Sequence, residues 1–591
     1  MVNPLPLLLN ALGDWNPQLY RELKSRLTFV KGRWVILASL LFQGGFVFLF
    51  FNRIPQLDPI TQEFKPYTQY SRYCFGEPAS EYSYSHLTCT TDLKGALQIN
   101  WQLWGLDVFT LLSTMGIILL LVIGVYLLIA DLQKEAQQGT VNFLRLSPLS
   151  ESDFIWGKIG GVPSLLYGFL LTCLPLHVIS AAIAGIPFWL LLGYYGVLVA
   201  SAVFFFHIAL WIGLNTNSKN SAFFQTQSAA IAGLLGIVLV IFTASSASTE
   251  PWQPAFLSWF GLLYPGKVLN YLVESTFIAP QLVGYFHGNE LHSLRWYGMA
   301  LFQFVPLGMA FMTLNFAVGT YWVQQVLKRR FRRPQSTAWS KPQSFGLTFS
   351  FVAIANGFLF QSYGSRYHSD FVLFNLGTWQ LSLWLFFLGL TLALLPHPHY
   401  LKEWSRYHHE SPRQYRAWGW QALHGENSPA LTAIACNLGL TALLSLPLLM
   451  VLLPDKLRVN GDYHPGLALL GFCLGLVGSF TVAALWQWGL GRLAINRLLI
   501  FVLTVIGMGA MPVVISVGAH IDSPAVLWFS PLPILAMGKQ TSALLFLSLL
   551  AQMAVMVGSQ WQFRRYLNRL GRSESQFYAK TLTPAQYSLP Q

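Results

Sequence analysis

Apolar runs wide enough to cross a bilayer, and almost empty of charge, recur from residue 34 to residue 560. A helix needs about 20 predominantly apolar residues to span the hydrocarbon core, where every backbone N–H and C=O must be satisfied within the segment. Twelve such runs can be placed, at 34–52, 107–130, 162–184, 187–213, 223–246, 296–320, 345–361, 373–396, 430–453, 466–489, 498–518 and 541–560. They predict an all-α polytopic membrane protein. Only 10% of residues are charged against 54% hydrophobic, too few charges to cover several soluble domains. The 21 Trp and 24 Tyr suit long membrane–water interfaces. Residues 1–10 carry no Lys or Arg and only a short apolar stretch, so the first long run is expected to stay as a helix rather than leave with a signal peptide.

The net charge of +13 raises the question of nucleic acid. The basic residues, however, sit at the ends of apolar runs. With the N-terminus inside, the inner connections hold most of the 36 Lys and Arg, while the 23 Asp and Glu divide almost evenly. That asymmetry is the positive-inside pattern; it predicts a bacterial inner-membrane protein with both termini cytoplasmic. The strongest anchor is Lys328-Arg329-Arg330-Phe331-Arg332-Arg333, a topology or headgroup contact rather than a nucleic-acid site.

The same basic stretch divides the chain. Residues 321–344 contain Pro334, Ser336 and Pro342 and read as a linker. A cytoplasmic N-terminus (1–33) and six spans (34–320) precede it; six spans (345–560) and a tail (561–591) follow. Two halves of six, each starting inside, would be related by an axis along the membrane normal. Each has a long cytoplasmic connection after its second span, 131–160 with Leu146-Ser147-Pro148-Leu149 and 397–429 with Asn427-Ser428-Pro429-Ala430. Each also has a Pro-containing outer loop before its last span, Tyr264-Pro265-Gly266 and Ser530-Pro531-Leu532-Pro533.

Ion-coupled carriers accept a cost of about 2.5–3.5 kcal/mol to place a charge at mid-bilayer. Within the twelve runs the ionisable groups are Asp107, at an edge, and His177 and His207, which more simply bond neighbouring helices. Energy is therefore expected from a cytoplasmic partner. Gly261 to Lys267 gives Gly-x4-Gly-Lys, but Val268 follows where a P-loop needs Ser or Thr. Neither a zinc-spaced Cys/His cluster nor a Gly-x-Ser-x-Gly elbow is present. The reading is of no metal, no cofactor and no enzyme site in this chain.

The segment Asp131 to Gly160 is the most informative. Gly139 is a helix stop, and Thr140 can cap a short helix with Val141, Phe143 and Leu144 as its apolar side. Ser147-Pro148 breaks it. Ser150-x-x-Asp153 suits a capping box opening the next helix, which enters the membrane past Lys158. Upstream, Asn16-Pro17 starts a helix with Leu19, Tyr20, Leu23 and Leu27 on one face against Arg21, Lys24 and Arg26, an interfacial pattern. In the outer loop 54–106, Cys74 and Cys89 lie 15 positions apart and are expected to pair, restricting the loop by roughly 3 kcal/mol in the chain-entropy account. Cys173, Cys436 and Cys473 read as helix-packing residues.

The pattern Glu135-x3-Gly139-Thr140-x3-Leu144-x2-Ser147-Pro148, followed by Gly157-Lys158, resembles the signature of ABC-2 type transporter permeases. Arg332-Arg333-Pro334-x2-Thr337-x2-Ser340-Lys341-x-Gln343-Ser344 is similar to the central linker of the long two-half form found in cyanobacteria. The resemblance implies six helices per unit, an amphipathic helix before the first, short re-entrant helices in 249–295, and coupling through Glu135, Gly139, Thr140, Leu144, Ser147, Pro148, Gly157 and Lys158 to a separate ATP-binding subunit, in two copies, which carries the ATP and Mg²⁺. It implies export of an amphiphilic, lipid-linked or glycan cargo, contact with membrane lipid, and room for a second permease chain. The second half departs from the pattern, since 397–429 lacks Gly-Thr and Gly-Lys. An ion-coupled twelve-helix carrier, a membrane-embedded glycosyl or lipid transferase, and a scaffold for other membrane subunits remain the alternatives.

Overall fold

The computed structural model describes residues 12–55, 70–77, 87–92, 97–215, 221–247, 256–286, 289–359, 361, 368–410, 425, 428–457, 465–492, 497–512, 514, 530–533 and 542–570. Parts of the loops 54–106 and 397–429, Asn427 among them, and residues 571–591 lie outside this set. Among the described residues the chain is helical apart from a two-strand ribbon, β1 (Tyr70–Ser71) against β2 (Leu87–Thr88). The chain divides into two compact units, with the main division between Arg332 and Arg333.

The first unit runs through α1 (Pro17–Arg26), α2 (Phe29–Phe51), α3 (Trp101–Gln137), α4 (Thr140–Leu146), α5 (Glu151–Gly161), α6 (Ser164–Ile183), α7 (Phe188–Asn215), α8 (Ser221–Ala247) and α9 (Val305–Arg332). Helix starts follow local chemistry. Asn16 Oδ1 accepts the Leu19 N–H at 2.9 Å with Pro17 in the first turn, and Asn100 Oδ1 accepts that of Leu103 at 3.0 Å. The helix α3 contains a π-turn over Leu119–Ile123. Between α8 and α9 lie helical pieces of three to six residues, such as Pro265–Val268 and Leu269–Glu274, with Tyr264, Leu269, Tyr271 and Leu272 buried. The structure joins Cys74 to Cys89 with an S–S distance of 1.97 Å.

The second unit contains α10 (Lys341–Gly357), α11 (His368–Leu394), α12 (Pro398–Glu410), α13 (Leu431–Leu457), α14 (Pro465–Arg492), α15 (Arg497–Thr504, continued by a π-turn over Val505–Ala510) and α16 (Ser542–Leu570). Ser340 and Gln343 close a reciprocal capping box at the start of α10.

Among the described residues, eight helices are long and apolar enough to cross a membrane. Large apolar side chains such as Leu40, Leu41, Leu192 and Leu234 are exposed on them, which suits lipid and not water. The chain is an all-helical, multi-pass membrane protein. Each of the remaining four expected spans overlaps helix among its described residues, with shifted limits. The sixth starts at Val305 and runs to Arg332, so most of the stretch expected as a linker is helical. Its Arg-rich end can extend a helix because its basic side chains suit a helix C-terminus. The last runs on to Leu570, into the expected tail.

Candidate functional site

The helix α3 continues past the apolar core, so Asp131 and Glu135, one turn apart, share a face. Gly139 stops it with φ +74°, a backbone region that residues with a Cβ rarely adopt. Its carbonyl accepts the N–H groups of Asn142 and Phe143 at 3.1 and 3.3 Å and so opens α4. Gly139 itself is therefore the cap; Thr140, expected in that place, is the first helical residue. Ser147 ends α4, its N–H and hydroxyl both donating to the Leu144 carbonyl. Ser150 then opens α5, accepting the Asp153 N–H at 3.0 Å and donating to the Asp153 carboxylate at 2.5 Å.

The helix α1 lies directly on α5. Asn16 Nδ2 donates to the Asp153 carbonyl at 3.0 Å. A Cβ added at Gly157 would come within 2.7 Å of the Gln18 side chain, and one at Gly161 within 2.3 Å of Glu22 Cβ. Two glycines one turn apart thus let the helices meet at backbone distance. The buried stripe of α1 is Gln18 and Glu22, whereas Leu19, Tyr20 and Leu23 are half-buried and Leu27 is exposed. Leu19 also reaches Gly160 of α5, but the most buried positions of α1 are polar, because a charge waiting on α5 draws Glu22 inward.

That charge is Lys158. Its side chain is 0% exposed, and Nζ lies 2.6 Å from Asp131 Oδ2, 2.7 Å from Glu22 Oε1 and 2.8 Å from Glu135 Oε2. Arg26 pairs with Glu22 and Asp131; Arg21 pairs with Glu135 at 2.5 Å and with Glu22 at 3.2 Å. Burial would push Lys158 toward the neutral amine, but Asp131, Glu135 and Glu22 together outweigh it and raise its pKa. Burial likewise works against the Glu22 carboxylate, and Lys158, Arg26 and Arg21 reverse it, leaving its pKa lowered. Three acids face three bases, so the cluster is closed on itself. Oxygens of Glu22, Asp131 and Glu135 lie within 4.8 Å of one another, but the ammonium occupies the place a cation would take.

On its inner side α4 buries Val141 and Leu144; on its outer side Phe143 is 72% and Leu146 87% exposed. Phe143, expected on the inner side, stands outside because Val141 and Leu144, three apart, already fill the one face a seven-residue helix can press inward. On the far side of α5, Phe154 stacks on Phe331 at 4.4 Å and Glu151 pairs with Arg332, so the basic end of α9 is held to α5.

Of the residues singled out from sequence, Glu135, Gly157 and Lys158 belong to the internal clamp, Leu144 is buried, Ser147 forms the turn, and Gly139, Thr140 and Pro148 lie at or near the surface. Glu22 escaped sequence reasoning, Arg21 and Arg26 were read only as the polar side of an interfacial helix, and Asp131 only as the start of the segment. Their i,i+4 spacings were readable; their meeting with Lys158, up to 136 residues away, was not.

The opposite end of α3 carries a second knot. Asp107 accepts the hydroxyl of Tyr73 at 3.0 Å and that of Tyr285, and pairs with Arg72 at 3.0 Å; Arg72 also donates to the Val283 carbonyl at 2.6 Å. Burial and Asp107 together raise the Tyr73 phenol well above its usual pKa. With 1.5 Å per residue, Asp107 and Asp131 stand about 36 Å apart along α3, so this span is clamped at both ends.

In the second unit, α12 occupies the corresponding connection. Ser405 Oγ donates to the Leu567 carbonyl at 2.6 Å and Leu401 is buried, while Lys402, Glu403 and Arg406 are exposed. Comparison of the chain with family models, curated proteins and solved structures returns no match.

Proposed function

We propose that this chain is the permease subunit of an ABC-2 type transporter in a bacterial inner membrane, both termini cytoplasmic, driven by a separate ATP-binding subunit in two copies. The observation that carries the reading is the pair Phe143 and Leu146, exposed on a short helix whose neighbours are locked to the bundle. Two large apolar side chains on a polar shelf suit a pocket on a soluble partner, where such anchors carry most of the binding energy. A push on α4 enters α3 directly, and the Lys158 cluster passes it to α5 and α1. The ATP and Mg²⁺ belong to the partner, and no chemical step is assigned to this chain.

Helix pairings support two halves of six spans. In the first unit the first span packs on the third, the second on the third and fourth, and the fourth on the sixth; α10, α11, α13, α14 and α16 repeat those pairings in the second. The cargo class is an amphiphile moved outward. The polar outer face of α12 favours docking on the first unit, with a second permease chain supplying the second shelf.

The test is co-purification in mild detergent of the chain with a Walker-motif ATPase from the same cells. Phe143→Asp with Leu146→Asp should abolish recovery of the ATPase, a loss of about 2 kcal/mol or more of binding, with thermal stability within about 0.5 kcal/mol of the parent. Undiminished recovery from the double variant would sink the reading.

A further inference from the structure

The first unit carries a half-open cavity of about 520 Å³ between α2, α3, α6 and α7, with Ile159 of α5 at one end. Its walls are almost wholly apolar. The polar groups that reach it are bound to the protein: His177 bonds Ser113 at 2.7 Å through Nε2 and Tyr195 at 2.6 Å through Nδ1, and Tyr167 donates to the Ile159 carbonyl at 2.8 Å. Water therefore has little to hold it there, since a buried water needs two to four polar partners. An empty space of this size would forfeit packing along its whole lining.

Two features keep the space open. The π-turn of α3 falls at Leu119–Ile123, and Leu119 and Leu120 line the cavity. Gly116, also in the lining, would meet nothing within 4 Å if it carried a Cβ. The rim faces lipid: Leu171 is 65% and Val199 61% exposed. From Tyr194 to Phe206 the lining of α7 covers about 18 Å at 1.5 Å per residue, roughly three-fifths of a hydrocarbon core of about 30 Å. The end at Tyr167 lies beside the start of α2, since Val35 neighbours Gly168, and there Lys31, one turn before Val35 on the same face, is exposed.

We infer that this cavity is a lateral binding site for one acyl chain of an anionic phospholipid, its tail lying along α7 toward His177 and its headgroup beside Lys31. The hydrocarbon fills a space that neither water nor protein fills, and the Lys31 ammonium favours a negative headgroup at the rim. The site stands on the geometry of α2, α3, α6 and α7 and does not depend on ATPase docking.

The test reconstitutes the full chain in vesicles containing phosphatidylglycerol with a photoreactive group in one acyl chain, and maps the labelled peptides by mass spectrometry. Labelling should concentrate on the peptides around Gly116, Leu171 and Val199, above that of the exposed Leu40–Leu41 surface of α2. Gly116→Leu, which fills the cavity, should lower it to the level of that surface, and Val199→Trp, which narrows the rim, should do the same. Both variants are checked for an intact Cys74–Cys89 bond and a monodisperse profile. Labelling of the cavity no greater than that of α2, labelling unchanged in both folded variants, or labelling by a photoreactive free fatty acid but not by the phospholipid would overturn the inference.

Discussion

Lys158 in the first unit and Lys341 in the second are both almost wholly buried, yet their pKa values move in opposite directions. Lys158 sits among three carboxylates, which hold its proton more tightly than water would. Lys341 donates to Ser428 Oγ at 2.5 Å and to the Pro429 carbonyl at 3.1 Å, and burial pushes its pKa down to about 8. One lysine is a fixed cation that binds three elements together. The other is a group near its titration point beside a connection of the second half. The lesson is that burial alone does not decide what a lysine does; the charge brought to it by distant parts of the chain does.

Removing the ammonium should break the comparison most strongly. Lys158→Met leaves Glu22, Asp131 and Glu135 crowded together with only the partly exposed Arg21 and Arg26 to answer them, and should cost about 3–5 kcal/mol, read as a lowered midpoint of unfolding in detergent. A midpoint equal to the parent's would mean that the cluster holds nothing.

A smaller effect is expected from closing the groove beside it. Gly161→Leu drives a side chain into Glu22 and should cost about 1–3 kcal/mol by overpacking. Protease cleavage between α1 and α2 should speed up while the second unit keeps its hydrogen-exchange protection.

The subtlest test is pH. Between about pH 8 and the usual lysine value of 10.5 the unfolded chain holds a proton that folded Lys341 has released, so the second unit should gain stability as pH rises through that window. Lys158 has a raised folded pKa, so its contribution is present below 10.5 and is lost as pH climbs through the folded value. Glu22 has a lowered one, so its contribution is present above 4.5 and is lost on acidification through the folded value. Local hydrogen exchange on the alkaline side should therefore slow in α10 while it quickens in α1 and α5, and Lys341→Met should flatten the α10 trend alone.

Much of the site's outline was legible along the chain. Gly139, Ser147-Pro148 and Ser150 marked where α3, α4 and α5 begin and end because stops and caps are local events, decided within four residues. Asn16-Pro17 marked α1 for the same reason. Which face of α1 turns inward was not legible, because the rule that apolar faces are buried fails where a buried cation calls for Glu22. Phe143 and Leu146 went unrecognised as the exposed pair, since helical periodicity gives two opposite faces and not which of them meets the bundle. The expectation of a bundle without buried charge fails at the ends of α3 and on α5, where Asp107, Asp131 and Lys158 are held in ion pairs.

By itself, then, the sequence determined an all-helical membrane protein, its apolar runs and the breaks around α4, because hydrophobic length and local hydrogen bonding depend on residues close together in the chain. The tertiary structure decided that Lys158 meets Glu22, that Asp107 ties Tyr73 to Tyr285, and that Phe143 and Leu146 face outward. Those are outcomes of packing between segments scores of residues apart, where the energy of a contact depends on what else has already arrived.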